Sequence, residues 1–158
     1  VRPAERRRPW GYPAVLARTQ WRVRYSETDQ MAAVYHAHYF TWFEMGRAEA
    51  FRSVGSTYKS WEEAGVLLPV IECSCQFKSP ARYDDLLTIE TSVTRLARVR
   101  VAFDYTVRHQ ESGRVIAVGR TVHAFVNRQG RPTSLDGYPA LKEQLQRLVE
   151  APHGDPPP

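Results

Sequence analysis

Two cysteines and two methionines are little sulfur for 158 residues, and the scarcity limits what the chain can be. Cys73 and Cys75 are separated by one residue in "VIECSCQF", so on a strand both side chains share one face. Neighbouring thiols on one strand seldom close a disulfide, and no further cysteine pair exists to complete a zinc site. They read as reduced thiols in an apolar segment. Long hydrophobic runs are also missing. Although 42% of the residues are hydrophobic, no stretch approaches the ~18 continuous apolar residues of a membrane-crossing helix, so no membrane span is expected. Acidic residues are outnumbered, 17 against 22 basic, for a formal charge of +5, which favours anionic partners. The opening "VRPAERRRPWGYPAV" lacks the apolar core and small-residue cleavage site of a secretory signal, and the expected location is cytoplasmic. Neither a helix-turn-helix pattern nor an RNA-binding aromatic signature is present, so no nucleic-acid partner is expected.

The length suits one domain. Residues 1–18, rich in Arg and Pro, read as a flexible basic tail, and 151–158, "APHGDPPP", as a disordered one. The domain between them, 19–150, carries clear periodicities. From Gln20, "QWRVRYSE" sets Trp21, Val23 and Tyr25 against Arg22, Arg24 and Ser26, the period-2 pattern of a half-buried strand expected to end at Thr28 or Asp29. One long helix is predicted over 37–54, stopped by Gly55. Its apolar positions Tyr39, Phe40, Trp42, Phe43, Gly46, Ala50, Phe51 and Val54 cover about half the circumference, wider than the ~100° stripe of an ordinary surface helix. Such a helix is wrapped by something. Arg47 falls inside that arc, where an unpaired guanidinium is costly, so a carboxylate or carbonyl partner is expected.

Residues 57–65 suggest a short second helix or turn. Strands are predicted over 66–79, 86–96, 99–110 and 114–127, with a hairpin loop marked by Gly113. Leu141, Leu145 and Leu148 give a final amphipathic helix over 139–150. Strand, long helix, then four closely connected strands argue an α+β fold with one antiparallel sheet. A curved sheet of about five strands wrapped around one long central helix is the hotdog fold, and its open edges invite pairing of subunits into a homo-oligomer, a dimer or a homotetramer.

The chemistry concentrates in "ETDQMAAVYHAHYF", residues 27–40. Asp29, His36 and His38 together have the composition of metal ligands, but histidines two apart at a helix start point their rings away from each other and no H-x-x-x-H pair is present, so no metal is expected. Taken alone, Asp29 reads as a turn or cap carboxylate, which most Asp residues in such loops are. A helix starting near Tyr35 to Ala37 directs unsatisfied N–H groups and partial positive charge at whatever precedes it, suiting a developing oxyanion. Tyr35 and Tyr39 read as wall residues.

The block "RYSETDQMAAVYHAHYFTWFEMGRAEAFR", residues 24–52, resembles the 4-hydroxybenzoyl-CoA thioesterase family of hotdog acyl-CoA thioesterases, particularly its YbgC-like branch. The likeness runs from about 20 to 148, taking in "SPARYDDLLTIET" and "GRPTSLDGYPAL". Asp29, Val34, Tyr35, His36, Ala37 and Tyr39 match that pattern. Ala32 stands where the family usually has Gly, and His38 where Asn is common. The resemblance implies hydrolysis of an acyl-CoA to free acid and CoA. Asp29 would attack the thioester carbonyl or activate a water, and a backbone N–H near His36 would polarise the carbonyl oxygen. His36 acts through its ring or only through its backbone, and both readings stand. Tyr35 and Tyr39 would border the substrate, and Arg82, Arg95 and Arg98 would meet the CoA phosphates. No separate cofactor is implied, since CoA is part of the substrate. Two other readings fit the same residues, an acyl-carrier-protein thioesterase and a non-catalytic acyl-CoA-binding or regulatory hotdog protein.

Overall fold

The computed structural model describes residues 17–150, apart from the side chain of Glu150. Residues 1–16 of the expected tail 1–18, and all of the expected tail 151–158, lie outside the described residues. Five strands, β1 (Ala17–Arg22), β2 (Val70–Phe77), β3 (Leu86–Ala97), β4 (Arg100–His109) and β5 (Val115–Ala124), form one antiparallel sheet in the order β1-β3-β4-β5-β2. Three helices accompany it: α1 (His38–Ser53), α2 (Tyr58–Ala64) and α3 (Pro139–Glu150). This is the hotdog arrangement, a curved sheet holding the long α1.

The first strand differs from its expectation at both ends. It begins at Ala17, inside the segment read as a tail, and stops at Arg22 rather than Thr28 or Asp29. The alternation in Trp21, Val23 and Tyr25 is interrupted by a 3-10 turn over Tyr25–Glu27, closed by Thr28 N–H and Thr28 Oγ1 donating to the Tyr25 carbonyl at 3.1 and 2.7 Å. That bend throws Tyr25 into solvent while Val23 stays in the core. Pro69 likewise delays β2 to Val70, four residues past the expected start; Leu67 makes only an isolated bridge to Val126.

Helix α1 buries Tyr39, Trp42, Phe43, Gly46, Ala50 and Phe51, largely the predicted arc. Two glycines permit its close seating. A Cβ at Gly46 would lie 2.5 Å from Thr91 Oγ1 on β3, and one at Gly119 on β5 would lie 2.2 Å from Phe43 Cζ. Phe43 occupies that space and stacks on Tyr105 at 4.4 Å, a ring pair that adds to the area buried. Leu141, Leu145 and Leu148 carry α3 into the same core. Among the described residues Arg47 meets neither the carboxylate nor the carbonyl expected for it. Its guanidinium lies against the phenol groups of Tyr58 and Tyr105, and its Nε has no partner among the described residues. Strand β4 and the start of α2 meet α1 there with tyrosines, so phenol oxygens take the place of carboxylate ones.

A polar chain continues under the helix. The Tyr105 hydroxyl and Thr121 Oγ1 are 2.7 Å apart, and Thr121 Oγ1 lies 2.8 Å from His123 Nε2, whose Nδ1 approaches the Leu68 carbonyl at 3.1 Å. His123 is fully buried, and burial pushes its imidazole down to about 4.

The two sheet edges differ. Strand β1 alternates half-buried and exposed residues, whereas nearly all of β2 is exposed and presents Val70, Ile71 and Phe77. Cys73 and Cys75 stand opposite Thr121 and Gly119 on one face of β2, both as free thiols. No described helix is long and apolar enough to cross a membrane.

Candidate active site

The loop holding Asp29 is a tight return. Thr28 bridges Val34, Asp29 N–H donates to the Ala33 carbonyl at 2.9 Å, and Ala32 N–H donates back to the Asp29 carbonyl at 3.0 Å. Closing so short a loop requires a left-handed residue, and Ala32 supplies it with φ of 56°. The turn that suits glycine is therefore kept without glycine, at a cost on the order of 1–2 kcal/mol. The Asp29 carboxylate accepts Met31 N–H at 2.8 Å and is otherwise open, on a half-buried residue. That single bond sets its direction and leaves lone pairs free for a water or a carbonyl carbon.

A second loop, 80–85, braces the first. Ala81 accepts Val34 N–H at 2.9 Å, Arg82 Nη1 donates to the Ala32 carbonyl at 2.9 Å, and Arg22 Nη1 donates to the Asp84 carbonyl at 2.8 Å. Asp84 is the other non-glycine residue with positive φ, 68°, among the described residues. Both strained backbone positions thus sit on the two loops that face each other, where strain concentrates at functional sites. Beside them a surface depression of about 470 Å³ opens between Arg24, Tyr25 and Tyr83.

The chain then enters α1. Tyr35 N–H is taken by the Glu27 carbonyl at 2.9 Å, and the first helical bonds run from His38 N–H to Tyr35 and from Tyr39 N–H to His36. Among the described hydrogen bonds none uses the N–H of His36 or Ala37, and the N-cap residue, Ala37, has no capping side chain. Two free donors and the positive end of a 16-residue helix therefore stand at the end of the segment that begins with Asp29. The predicted helix start falls within a residue of the observed one.

The other predicted site residues divide into two groups. Tyr35 is 46% exposed, with its ring 4.4 Å from that of His36, and both sit at the helix entrance. Tyr39 is 3% exposed and packs edge-on to Phe77 at 5.0 Å; burial pushes its phenol up to about 12. It is a wall between α1 and β2. Arg82 belongs to the Asp29 region through Ala32. Arg95 and Arg98 do not. They lie toward the far end of β3 from loop 80–85, about 30 Å along the strand at ~3.3 Å per residue. Arg95 joins Arg100 and Arg120 around a depression of about 200 Å³, and Arg98 pairs with Asp136 at 3.8 Å. Among the described residues no group of His, Cys, Asp or Glu is arranged to hold a metal ion.

One residue of the region has no counterpart in the sequence reading. Glu27, 8% exposed, receives Trp21 Nε1 at 3.2 and 3.0 Å, Trp42 Nε1 at 3.0 Å and Arg24 N–H at 2.8 Å. The only available hint is a glutamate within reach of two tryptophans, which periodicity does not weigh.

A carboxylate held open on a strained loop thus precedes the uncapped N-terminus of α1 on a hotdog sheet. The chain belongs to the Thioesterase superfamily, whose defining pattern matches residues 31–117. It is similar to YneP of Bacillus subtilis, 29% identical over 114 residues that cover 72% of this chain and 82% of that protein. It is also similar to the acyl-CoA thioester hydrolase YbgC of Escherichia coli, 30% identical over 97 residues, 61% and 72% of the two chains. The DHNA-CoA thioesterase of Staphylococcus aureus superposes with a TM-score of 0.79 at 28% identity, over 85% of this chain and 91% of that one.

Proposed function

We propose that this chain hydrolyses acyl-CoA thioesters, with Asp29 as the reacting carboxylate and the N–H groups of His36 and Ala37 as donors to the thioester oxygen. The observation that carries the reading is the pair of unused N–H groups at the start of α1, directly after the loop that holds Asp29 open. As the carbonyl carbon becomes tetrahedral, negative charge collects on its oxygen, and preoriented donors stabilise that charge more than the ground-state carbonyl. A thiol leaving group, with a pKa near ~8.5 for a free cysteine, departs as thiolate without a strong acid beside it. Asp29 serves either by direct attack, giving an anhydride that water then cleaves, or by taking a proton from an attacking water. His36 contributes through its backbone in this reading, and its ring, tilted against that of Tyr35, shapes the entrance.

The acyl pocket is completed by a second copy of the chain. The exposed apolar edge β2 is the surface such a copy would cover, bringing Phe77 and its neighbour Tyr39 into a shared wall. Arg95 and Arg98 meet a substrate only in such an oligomer, where a neighbouring copy carries them to an Asp29 loop. The expected location is the cytoplasm, with the positive charge suited to the CoA phosphates.

Thiol release from short, medium, long-chain and aromatic acyl-CoAs tests the activity, and failure to turn over any of them ends the proposal. Presenting one accepted acyl group on CoA and on an acidic carrier protein assigns the carrier. In a single-turnover reaction in H₂¹⁸O, label found in Asp29 establishes direct attack with water cleaving the anhydride at the Asp29 carboxyl carbon, since general-base catalysis delivers the water oxygen only to the product acid.

A further inference from the structure

We propose that Glu27 is a positioning residue for the thioesterase reaction, setting the place of Asp29 relative to the N–H groups at the start of α1. The inference rests on the assignment of Asp29 given above. Glu27 holds two parts of the site by its two ends. Its backbone carbonyl accepts Tyr35 N–H at 2.9 Å, taking that donor out of use so that the free ones begin at His36. Its side chain, two residues before Asp29, reaches Trp42 Nε1 on the second turn of α1 at 3.0 Å and Trp21 Nε1 on β1 at 3.0 Å. Arg24 N–H, at 2.8 Å, ties the same carboxylate to the bend that ends β1. A carboxylate offers about four lone-pair sites and no hydrogen of its own, and every described partner here is a donor.

The arrangement behaves as a fixed brace. The Asp29 loop is short and returns on itself, so its place relative to the helix is decided where it is anchored, at Thr28–Val34, at loop 80–85 and at Glu27. Trp42 is fully buried and Trp21 half-buried under the Arg24 guanidinium, 4.6 Å from its ring centroid, so neither indole is free to follow a displaced carboxylate. Glu27 itself is buried beneath the site and acts on substrate only through Asp29 and the helix start. A displacement on the order of 1 Å between reacting groups is enough to cost ~100-fold in rate.

The test is Glu27→Gln in the full chain, assayed on whichever acyl-CoA the wild type turns over. The amide keeps the volume but turns an NH₂ toward the indole and backbone donors. The expected result is a fall in kcat of about 10- to 100-fold with KM within a factor of about three. Leu145→Ala, which opens a cavity under α3 away from the loop, serves as a control of comparably lowered Tm and is expected to keep wild-type kcat below its unfolding range. If Glu27→Gln fails to fold, Trp21→Phe removes one donor from a half-buried ring and is expected to lower kcat several-fold at unchanged KM. Wild-type kcat in the folded variant, or an equal loss of kcat in Leu145→Ala, overturns the inference. Full activity of Asp29→Asn would instead overturn the assignment of Asp29, so the two failures are distinguishable.

Discussion

The segment Trp21–Glu27 and the loop Asp29–Ala33 adjoin in sequence and are built on opposite terms. In the first, a buried carboxylate is surrounded by donors from a strand, a turn and a helix. In the second, a half-buried carboxylate keeps one backbone donor, and the loop beneath it carries the unfavourable φ of Ala32. The difference teaches where stability and reactivity are placed. Glu27 contributes to the fold because its lone pairs are filled, and Asp29 is available for chemistry because most of its lone pairs are not.

The contrast can be broken first by exchanging the losses. Glu27→Ala leaves two indole N–H groups and one backbone N–H without an acceptor, each costing ~1–3 kcal/mol where buried, and is expected to destabilise by about 4 kcal/mol in urea unfolding. Asp29→Ala, by the same measurement, is expected to stay within about 0.5 kcal/mol of wild type, as for a surface change without buried partners. Equal losses would erase the distinction.

Acid probes the buried side next. His123 has a folded pKa of about 4, below the ordinary 6.5. Its neutral form is the one the fold favours, so this stability is fully present above pH ~6.5 and is lost as pH falls toward 4. At ~1.4 kcal/mol per unit the loss amounts to about 3 kcal/mol. Unfolding free energies measured between pH 7 and 4 should show it, and His123→Gln should flatten that part of the curve.

Gly119→Ala tests the seating of α1 without touching either carboxylate. The added methyl would lie 2.2 and 2.3 Å from Phe43 ring atoms and 3.0 Å from the Ser74 carbonyl, so a loss of about 2 kcal/mol in chemical denaturation is expected. A smaller effect, and of opposite sign, belongs to the loop. Ala32→Gly removes the left-handed strain but adds chain entropy to the unfolded state, for a net gain of roughly 0.5–1 kcal/mol by the same measurement. A loss instead would mean that the Ala32 methyl makes contacts outweighing its φ.

Much of the frame was legible because it follows from periodicity. The long helix with Gly55 after it, the leucine spacing of α3, and the hairpin at Gly113 all depend on neighbours a few residues apart. The position of β2 beside β5, far from β1, is set by contacts across the whole chain, which no local pattern carries. The alternation through Trp21, Val23 and Tyr25 misled at its end because period 2 persists into the 3-10 turn, where backbone bonds and not side-chain pattern decide direction. The helix start was readable from the sequence, and the motif around it singled out Asp29. Glu27 was not readable, since its partners lie 3, 6 and 15 residues away on three elements. The phenols beside Arg47 were hidden for the same reason: Tyr58 and Tyr105 come from α2 and β4, distant from it in sequence.

The most direct test of the central claim is acyl-CoA thiol release by the wild type and Asp29→Asn, with unfolding followed on the same samples. The account predicts turnover of at least one acyl-CoA by the wild type and a loss of about 1,000-fold or more in the variant, on the scale of removing a reacting group, at unchanged Tm. A variant that keeps the full rate would contradict it.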